Sequence, residues 1–283
     1  MKTPLTAWDK VQISRHVQRP RTLDYIRVLC EDFFEFHGDR RFADDAAIVA
    51  GVGRIDGQSV VIMGHQKGRD TRENMRRNFG MPKPEGYRKA MRLFHHAEKF
   101  ALPVICLIDT PGADPSMESE SRGQGNAIAE NILVMAQLRT PIVSLVIGEG
   151  GSGGALAIGV TDRILMLEHS VYSVAAPEAS AAILWRDASK AADAAKTMRI
   201  TAQDLLDMHI IETIIPEPEG GAHNDPDNTI RRAGLEIMRA IDALNALPTS
   251  VLLDQRYQKY RGIGAMTTMS TDQQSNGEPL PFI

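Results

Sequence analysis

Apolar and polar positions change rhythm along this chain, and each change marks an element. Asp24 to Phe34 carries apolar residues at helical spacing, so the chain up to about Phe36 reads as an N-terminal helical arm. Alternation with a period of two begins at Ala47-Ile-Val-Ala-Gly-Val-Gly-Arg-Ile and resumes at Ser59-Val-Val-Ile-Met-Gly-His. Asp56-Gly57 separates the two runs, which predicts a β-hairpin. Short β-branched runs then alternate with helix-length ones: helix from Gly86 to Phe100, strand from Val104 to Asp109, helix from Gly123 to Arg139, strand from Ile142 to Ile147. Arg163 to Glu168, Val171 to Val174 and Ile210 to Ile215 read as further strands, and Ala175 to Asp207 as mostly Ala-rich helix. Continuous apolar strands in βα units predict an α/β fold whose parallel sheet is covered by helices. Two amphipathic helices, about Thr229 to Leu247 and Ser250 to Tyr260, follow a polar loop at Glu217 to Asp227. Thr267 to Pro281 has the composition of a flexible tail. The organisation expected is an arm at 1–36, a main domain at 37–262 that includes the C-terminal helices, and a tail at 263–283.

Composition narrows the function classes. Hydrophobic residues at 43% and charged residues at 24% are ordinary for a globular protein with a sizeable core. A formal net charge of −4 gives no general attraction to nucleic acid or to an anionic membrane. Cys30 and Cys106 are the two cysteines, and no C-x-x-C pair occurs, which argues against a disulfide framework and against a thiolate metal site. No apolar run reaches transmembrane length, and the first eight residues lack the apolar core of a signal peptide. A cytoplasmic location is the expectation.

Candidate chemistry concentrates where the strand from Ile142 runs into Gly148-Glu-Gly-Gly-Ser-Gly-Gly-Ala-Leu-Ala-Ile-Gly, with five glycines between Gly148 and Gly154. Each glycine costs roughly 1 kcal/mol of backbone order relative to alanine. Three functional readings fit the same letters. Gly148, Gly150 and Gly153 satisfy the dinucleotide-binding G-x-G-x-x-G, with Glu168 downstream. Gly150, Ser152 and Gly154 satisfy the G-x-S-x-G of a serine nucleophile, with His169, His209 and His223 available. Alternatively, the Gly153 and Gly154 amides at a helix start form an oxyanion hole, where each donor removes about 3 kcal/mol from a barrier. Close contact between helix and strand is the plain structural alternative. No Lys-Ser or Lys-Thr follows, so the run is not a P-loop.

Asp109-Thr-Pro-Gly112 ends another strand, reads as a tight turn capped by Asp109, and with the glycine run builds one cleft. Between Lys67 and Arg92 nine Lys or Arg residues face Asp70, Glu73 and Glu85. Arg69–Glu73, Glu73–Arg77 and Glu85–Lys89 stand at i, i+4 spacing, as on a solvated helix face. The rival reading is a basic patch for phosphates, as in coenzyme A, or for an acidic partner. Histidines suited to act as a general base are few: His65 closes a strand, and His169 and His223 lie in turns.

Several blocks in order then make the chain recognisable. Gly38-Asp-Arg, Gly64-His-Gln-Lys-Gly-Arg, Arg76-Arg-Asn-Phe-Gly-Met-Pro, Pro84-Glu-Gly-Tyr-Arg-Lys, Ile108-Asp-Thr-Pro-Gly-Ala, Arg122-Gly-Gln, the glycine run, Tyr172-Ser-Val, Ala182-Ile-Leu-Trp and Ile215-Pro-Glu-Pro-Glu-Gly-Gly-Ala-His resemble the alpha subunit of the bacterial acetyl-coenzyme A carboxylase carboxyltransferase. The match runs from about Trp8 to Gly262. The resemblance implies a crotonase-like fold, a spiral of ββα units with helical arms at both ends. It implies transfer of a carboxyl group from carboxybiotin to acetyl-coenzyme A, giving malonyl-coenzyme A for fatty-acid biosynthesis. In that chemistry carboxybiotin releases carbon dioxide, its ureido anion takes the acetyl proton, and two oxyanions need stabilising.

Carried over by residue, Gly153 and Gly154 are the donors to the biotin ureido oxygen, while Gly112, Ala113, Gly150, Gly151 and Ala155 line the substrate. Ser152 then serves the turn. No metal is expected in this chain, since the family's zinc ribbon belongs to a beta subunit that holds the thioester. No Met-Lys-Met attachment motif occurs, so biotin arrives on a biotin carboxyl carrier protein, and ATP is used by a separate biotin carboxylase. An alpha2beta2 heterotetramer, inactive without beta, is the expected assembly. Three stretches depart from the family's usual residues: Asp114 and Ser116 where it carries Tyr and Gly, Ser121 and Gly125-Asn126 where it carries Glu and Ser-Glu, and Ala179 where it carries Gly. The alternatives are a noncatalytic or regulatory paralogue that pairs with beta, and a crotonase-type acyl-coenzyme A hydratase or isomerase using Glu149 and Glu178.

Overall fold

The computed structural model describes residues 4–264; the tail expected from Thr267 onward lies outside them. In chain order the elements are α1 (Ala7–Ser14), α2 (Thr22–Leu29), β1 (Phe33–Glu35), β2 (Ile48–Ile55), β3 (Gln58–His65), α3 (Thr71–Arg76), α4 (Pro84–Phe100), β4 (Val104–Thr110), α5 (Met117–Ser121), α6 (Gln124–Gln137), β5 (Ile142–Gly151), α7 (Ser152–Leu156), β6 (Arg163–Leu167), β7 (Val171–Ser173), α8 (Pro177–Trp185), α9 (Ala191–Met198), α10 (Ala202–Asp207), β8 (Thr213–Ile215), α11 (Pro226–Asn245) and α12 (Thr249–Gly262). The expected hairpin is β2–β3, with Ile55 opposite Gln58 across Asp56-Gly57. The helical reading of the first 36 residues holds for α1 and α2 but fails at Phe33–Glu35, which pairs with β2 as an edge strand. Thr6 and Asp9 form a reciprocal capping box that starts α1.

One sheet runs in the order β1-β2-β3-β4-β5-β6-β8, and β7 pairs with the far end of β5. The first three strands are antiparallel, and from β3 onward the neighbours are parallel. Side chains alternate across it with a period of two. Val61, Met63, Val104, Cys106, Ile108, Ile142 and Val146 face α4 and α6. Val60, Ile62, Ile105, Leu107, Val143, Leu145 and Ile147 face α2 and α11. Both faces are dry, which is why these strands read as unbroken apolar runs.

The two ends of the chain complete this core. Val11 and Tyr25 are fully buried, so α1 and α2 lie against the sheet. Arg256 of α12 is 1% exposed and makes five hydrogen bonds: to both Asp162 carboxylate oxygens (2.8 Å each) and to the carbonyls of Met135, Leu138 and Thr140. Tyr260 Oη accepts the Thr161 amide and reaches the Gly159 carbonyl. The helix thus clamps the segment between α7 and β6.

Lys89 also departs from expectation. Its ammonium is buried in α4 against Asp44 Oδ1 (2.7 Å) and the Asp45 carbonyl, while Glu85 pairs with Arg88 and Arg122. The face read as solvated is in this part internal.

Removing one member of a buried pair leaves its partner charged and uncompensated, which costs about 3–5 kcal/mol. Arg256→Met is expected to lose stability of that order in denaturant unfolding. Arg256→Met combined with Asp162→Asn should recover part of it, and equal stability of both variants would contradict the assignment.

Candidate functional site

The glycine run is a strand end, not a loop. β5 continues through Gly151, and α7 begins at Ser152, whose φ of +53° is left-handed. The close neighbour is the loop after β4. A Cβ on Gly151 would stand 2.1 Å from the Pro111 carbonyl oxygen, and one on Gly154 would stand 2.5 Å from the Ala113 nitrogen and the Gly112 carbonyl carbon. Gly150 is covered by the Tyr172 ring, at 2.6 Å from the same construction. The two strand ends therefore touch backbone to backbone, and the cleft expected between them is closed at this level.

Gly153 differs from its neighbours, because a Cβ there would meet nothing nearer than Ile128 at 3.7 Å. Ser152 and Gly153 instead border a cavity of about 710 Å³ whose walls include Leu156, Tyr172, Met198, Leu205, Tyr260 and Ile263. The amides of Ser152 to Ala155 open a helix and have no acceptor within it. Gly112 and Ala113 are half-buried on the other side of the contact, and Gly150, Gly151, Gly154 and Ala155 are buried. The seven expected site residues are thus brought into one neighbourhood, but of them Gly153 alone borders the cavity.

A charged cluster underlies the turn. Lys67 Nζ donates to Asp109 Oδ1 (2.7 Å) and Glu149 Oε2 (2.9 Å), and the Glu149 amide donates to Asp109 Oδ1 (3.1 Å). Arg15 donates to Glu149 Oε1 at 2.6 Å and also pairs with Glu178. Burial raises the Glu149 carboxyl, but Lys67 and Arg15 overcome this and hold it below the usual range. Glu178 is likewise lowered by Arg15 against the effect of burial. Asp109 does not cap its own turn; Thr110 does, exchanging hydrogen bonds with Gly112. Arg15 and Lys67 escaped the sequence reading. Lys67 stood out only as the start of the basic stretch and within the matching block Gly64-His-Gln-Lys-Gly-Arg, and neither pointed to its buried carboxylate partners.

Three rival chemistries fail on this geometry. Glu149 and Glu178 are both tied as carboxylates to Arg15, so neither holds the proton a hydratase acid must donate. Ser152 has no side-chain partner among the described residues, and no histidine activates it. Glu168 accepts the Glu217 amide, and Gly148 is strand, which removes the dinucleotide loop. Asp114, one of the family departures, is turned inward and accepts from Ser116 and Ser119.

His65 lies beneath the turn against the backbone of Gly154 and Leu107, and burial pushes its imidazole down to about 3. An unfolded chain takes up a proton at His65 between pH ~6.5 and ~3, whereas the folded chain does not. Its neutral state supports folding above that window and the support is lost as pH falls through it. His65→Gln should therefore show a smaller drop in melting temperature between about pH 7.5 and about pH 5 than the unaltered chain. An equal drop would place the acid sensitivity elsewhere. In the same melts Gly153→Ala should cost little, while Gly154→Ala, with backbone in its way, should lower the midpoint clearly; the reverse order would refute the contact described.

Comparison with known proteins gives the family of the chain. Residues 1–264 match the family model described as acetyl co-enzyme A carboxylase carboxyltransferase-like. The acetyl-coenzyme A carboxylase carboxyl transferase subunit alpha of Methylococcus capsulatus is 55% identical over 267 residues, covering 94% of this chain and 83% of that protein. Its counterpart in Halalkalibacterium halodurans is 57% identical over 260 residues, covering 92% and 80%. Among solved structures, a chain of a Pseudomonas malonate decarboxylase hetero-tetramer in complex with coenzyme A superposes with a TM-score of 0.65 at 18% identity, covering 83% of this chain and 92% of that one. Transcarboxylase 12S gives 0.62 at 17% identity, where this chain covers 44% of the other. These likenesses show a crotonase-like carboxyltransferase fold, and the chain belongs to the acetyl-coenzyme A carboxylase carboxyltransferase alpha-subunit family.

Proposed function

We propose that this chain, with a beta subunit, transfers the carboxyl group of carboxybiotin to acetyl-coenzyme A to form malonyl-coenzyme A in cytoplasmic fatty-acid biosynthesis. The observation that carries the reading is the first turn of α7, whose amides have no acceptor within the helix and whose Ser152 and Gly153 border an apolar cavity of about 710 Å³. That space and the open side of Gly153 fit a bicyclic ureido ring with its alkyl arm. When bound, carboxybiotin supplies the carboxyl group and a ureido nitrogen able to take the acetyl proton.

This chain's residues supply position and field. The Gly153 and Gly154 amides donate to the ureido oxygen as negative charge develops there, and Ala155 N–H reinforces the local dipole. Leu156, Tyr172 and Met198 exclude water from the ring, which strengthens those hydrogen bonds. Gly151 and Gly154 hold the turn against the Pro111–Ala113 loop, with Gly150 under the Tyr172 ring, and so fix the direction of the amides. No side chain of this chain is required as a base, consistent with a neutral, buried His65 and carboxylates engaged in ion pairs.

The second oxyanion, on the thioester, falls to the beta subunit in an alpha2beta2 assembly, with biotin delivered on its carrier protein and ATP consumed by a separate carboxylase. Gly153→Pro deletes one donor and should reduce carboxyl transfer by ~10²–10³-fold while leaving beta association in place. Radiolabelled bicarbonate incorporation into malonyl-coenzyme A measures it. Full activity in that variant, or full activity of the unaltered chain without beta, would overturn the reading.

A further inference from the structure

The charged cluster at the carboxyl ends of β3, β4 and β5 carries an inference beyond the reaction. Arg15 caps the C-terminal end of α1. Its Nε donates to Glu149 Oε1 at 2.6 Å, and its terminal nitrogens hold Glu178 in the first turn of α8. Glu149 is fixed in turn by Lys67 and, through its own amide, by Asp109. It lies in β5 immediately before Gly150 and Gly151, which lead into the left-handed Ser152. None of these charged groups borders the large cavity, so none touches a ligand held there.

We infer that Arg15 is a positioning residue: with Glu178 as its second anchor, it sets the direction of the Gly153 and Gly154 amides through Glu149. The inference rests on those amides being the donors proposed above. Arg15's planar fork fixes two carboxylates in both distance and direction, which a lysine ammonium does only in part. Glu149 cannot shift along the strand without moving Gly151, whose α-carbon is pressed on the Pro111 carbonyl. Elsewhere α8 packs chiefly on α9 and the turn at 188–190, so the Arg15–Glu178 pair is its polar tie to the site. Arg15 and Glu178 are both partly exposed, so the pair contributes little to global stability. Its effect belongs to geometry, where displacements well under 1 Å alter a rate several-fold or more.

The test uses the alpha–beta complex with carboxybiotin carrier and acetyl-coenzyme A, and compares Arg15→Gln, Arg15→Lys and Glu178→Gln. Arg15→Gln should lower kcat about tenfold with KM for acetyl-coenzyme A unchanged, Arg15→Lys should restore part of it, and Glu178→Gln should fall between. Amide hydrogen exchange at residues 150–154 of the isolated chain should rise in the same order, and Glu178→Gln, which leaves Glu149 paired with Arg15 and Lys67, should keep a melting temperature close to the original. Unchanged exchange at those amides, an unchanged kcat, or lysine no better than glutamine would overturn the inference. If instead Gly153→Pro keeps full activity, the donor assignment fails, and the exchange measurement still decides whether Arg15 holds the turn.

Discussion

Two strand ends meet here with no room for a side chain between them, and the site takes its form from that contact. The Gly151 and Gly154 α-carbons face the Pro111–Ala113 backbone so closely that a methyl group on either would overlap it. β5 can therefore run to Gly151 and turn at once into α7, at the price of a left-handed Ser152, a strain of roughly 1–2 kcal/mol for a residue with a Cβ. The turn separates the two sides of the backbone. Ser152 and Gly153 of the first turn border the cavity, whereas the Gly154 carbonyl is turned inward to Tyr87 and lies against His65. A longer loop, as in a dinucleotide fold, would not impose that separation. A serine nucleophile would need the same sharp turn plus a base, and the base is missing among the described residues. One backbone contact thus decides between three readings of the same glycines.

Electrostatics at the strand ends follow from the same closeness. Asp109, Glu149 and Lys67 are nearly dry, and buried charges are tolerated only when matched and hydrogen-bonded. Asp109 meets this with a backbone amide and an ammonium, and Glu149 with an ammonium and a guanidinium. Glu149 is thereby held ionised and loses its value as an acid. The chemistry left to this chain is that of fixed dipoles, which need no proton and no reorganisation during the reaction.

How far this was legible in the sequence differs by the kind of signal. The hairpin, the parallel strands and α4, α6 and α11 were legible because burial imprints a period on the chain, and both faces of Val104–Thr110 are buried. Phe33–Glu35 was not: three residues carry too short a period to separate an edge strand from a helix end. Charges were misread for another reason. Lys89 looks solvated on a helical wheel, but its partner Asp44 lies 45 residues away; for Arg256 and Asp162 the separation is 94. Local spacing records which face a charge is on, not what that face meets. Arg15 escaped for the same cause, since Glu149 is 134 residues distant. The site glycines were found, but the reason for each came only with the fold: Gly154 for closeness, Gly153 for its border on the cavity.

A site made of backbone also accounts for how the departures from the family are borne. Asp114 places a carboxylate in the loop that touches Gly154, where the resemblance implies an aromatic side chain. Burial alone would raise its carboxyl, yet Ser116 and Ser119 donate to it and hold it below the ordinary range. Ser116 is itself one of the departures, so the new charge and one of its hydrogen-bond donors stand two positions apart in the same loop. Asp114 also keeps its amide on the Pro82 carbonyl, and Gln124 holds both carbonyls from the other side. The course of the loop, which is what Gly151 and Gly154 require of it, is thus fixed by backbone hydrogen bonds that do not depend on the side chain at 114. A hole built from side chains would register such substitutions directly. One built from two touching main chains registers them only if the loop moves, and here the Asp114 amide and the Gln124 side chain hold it still.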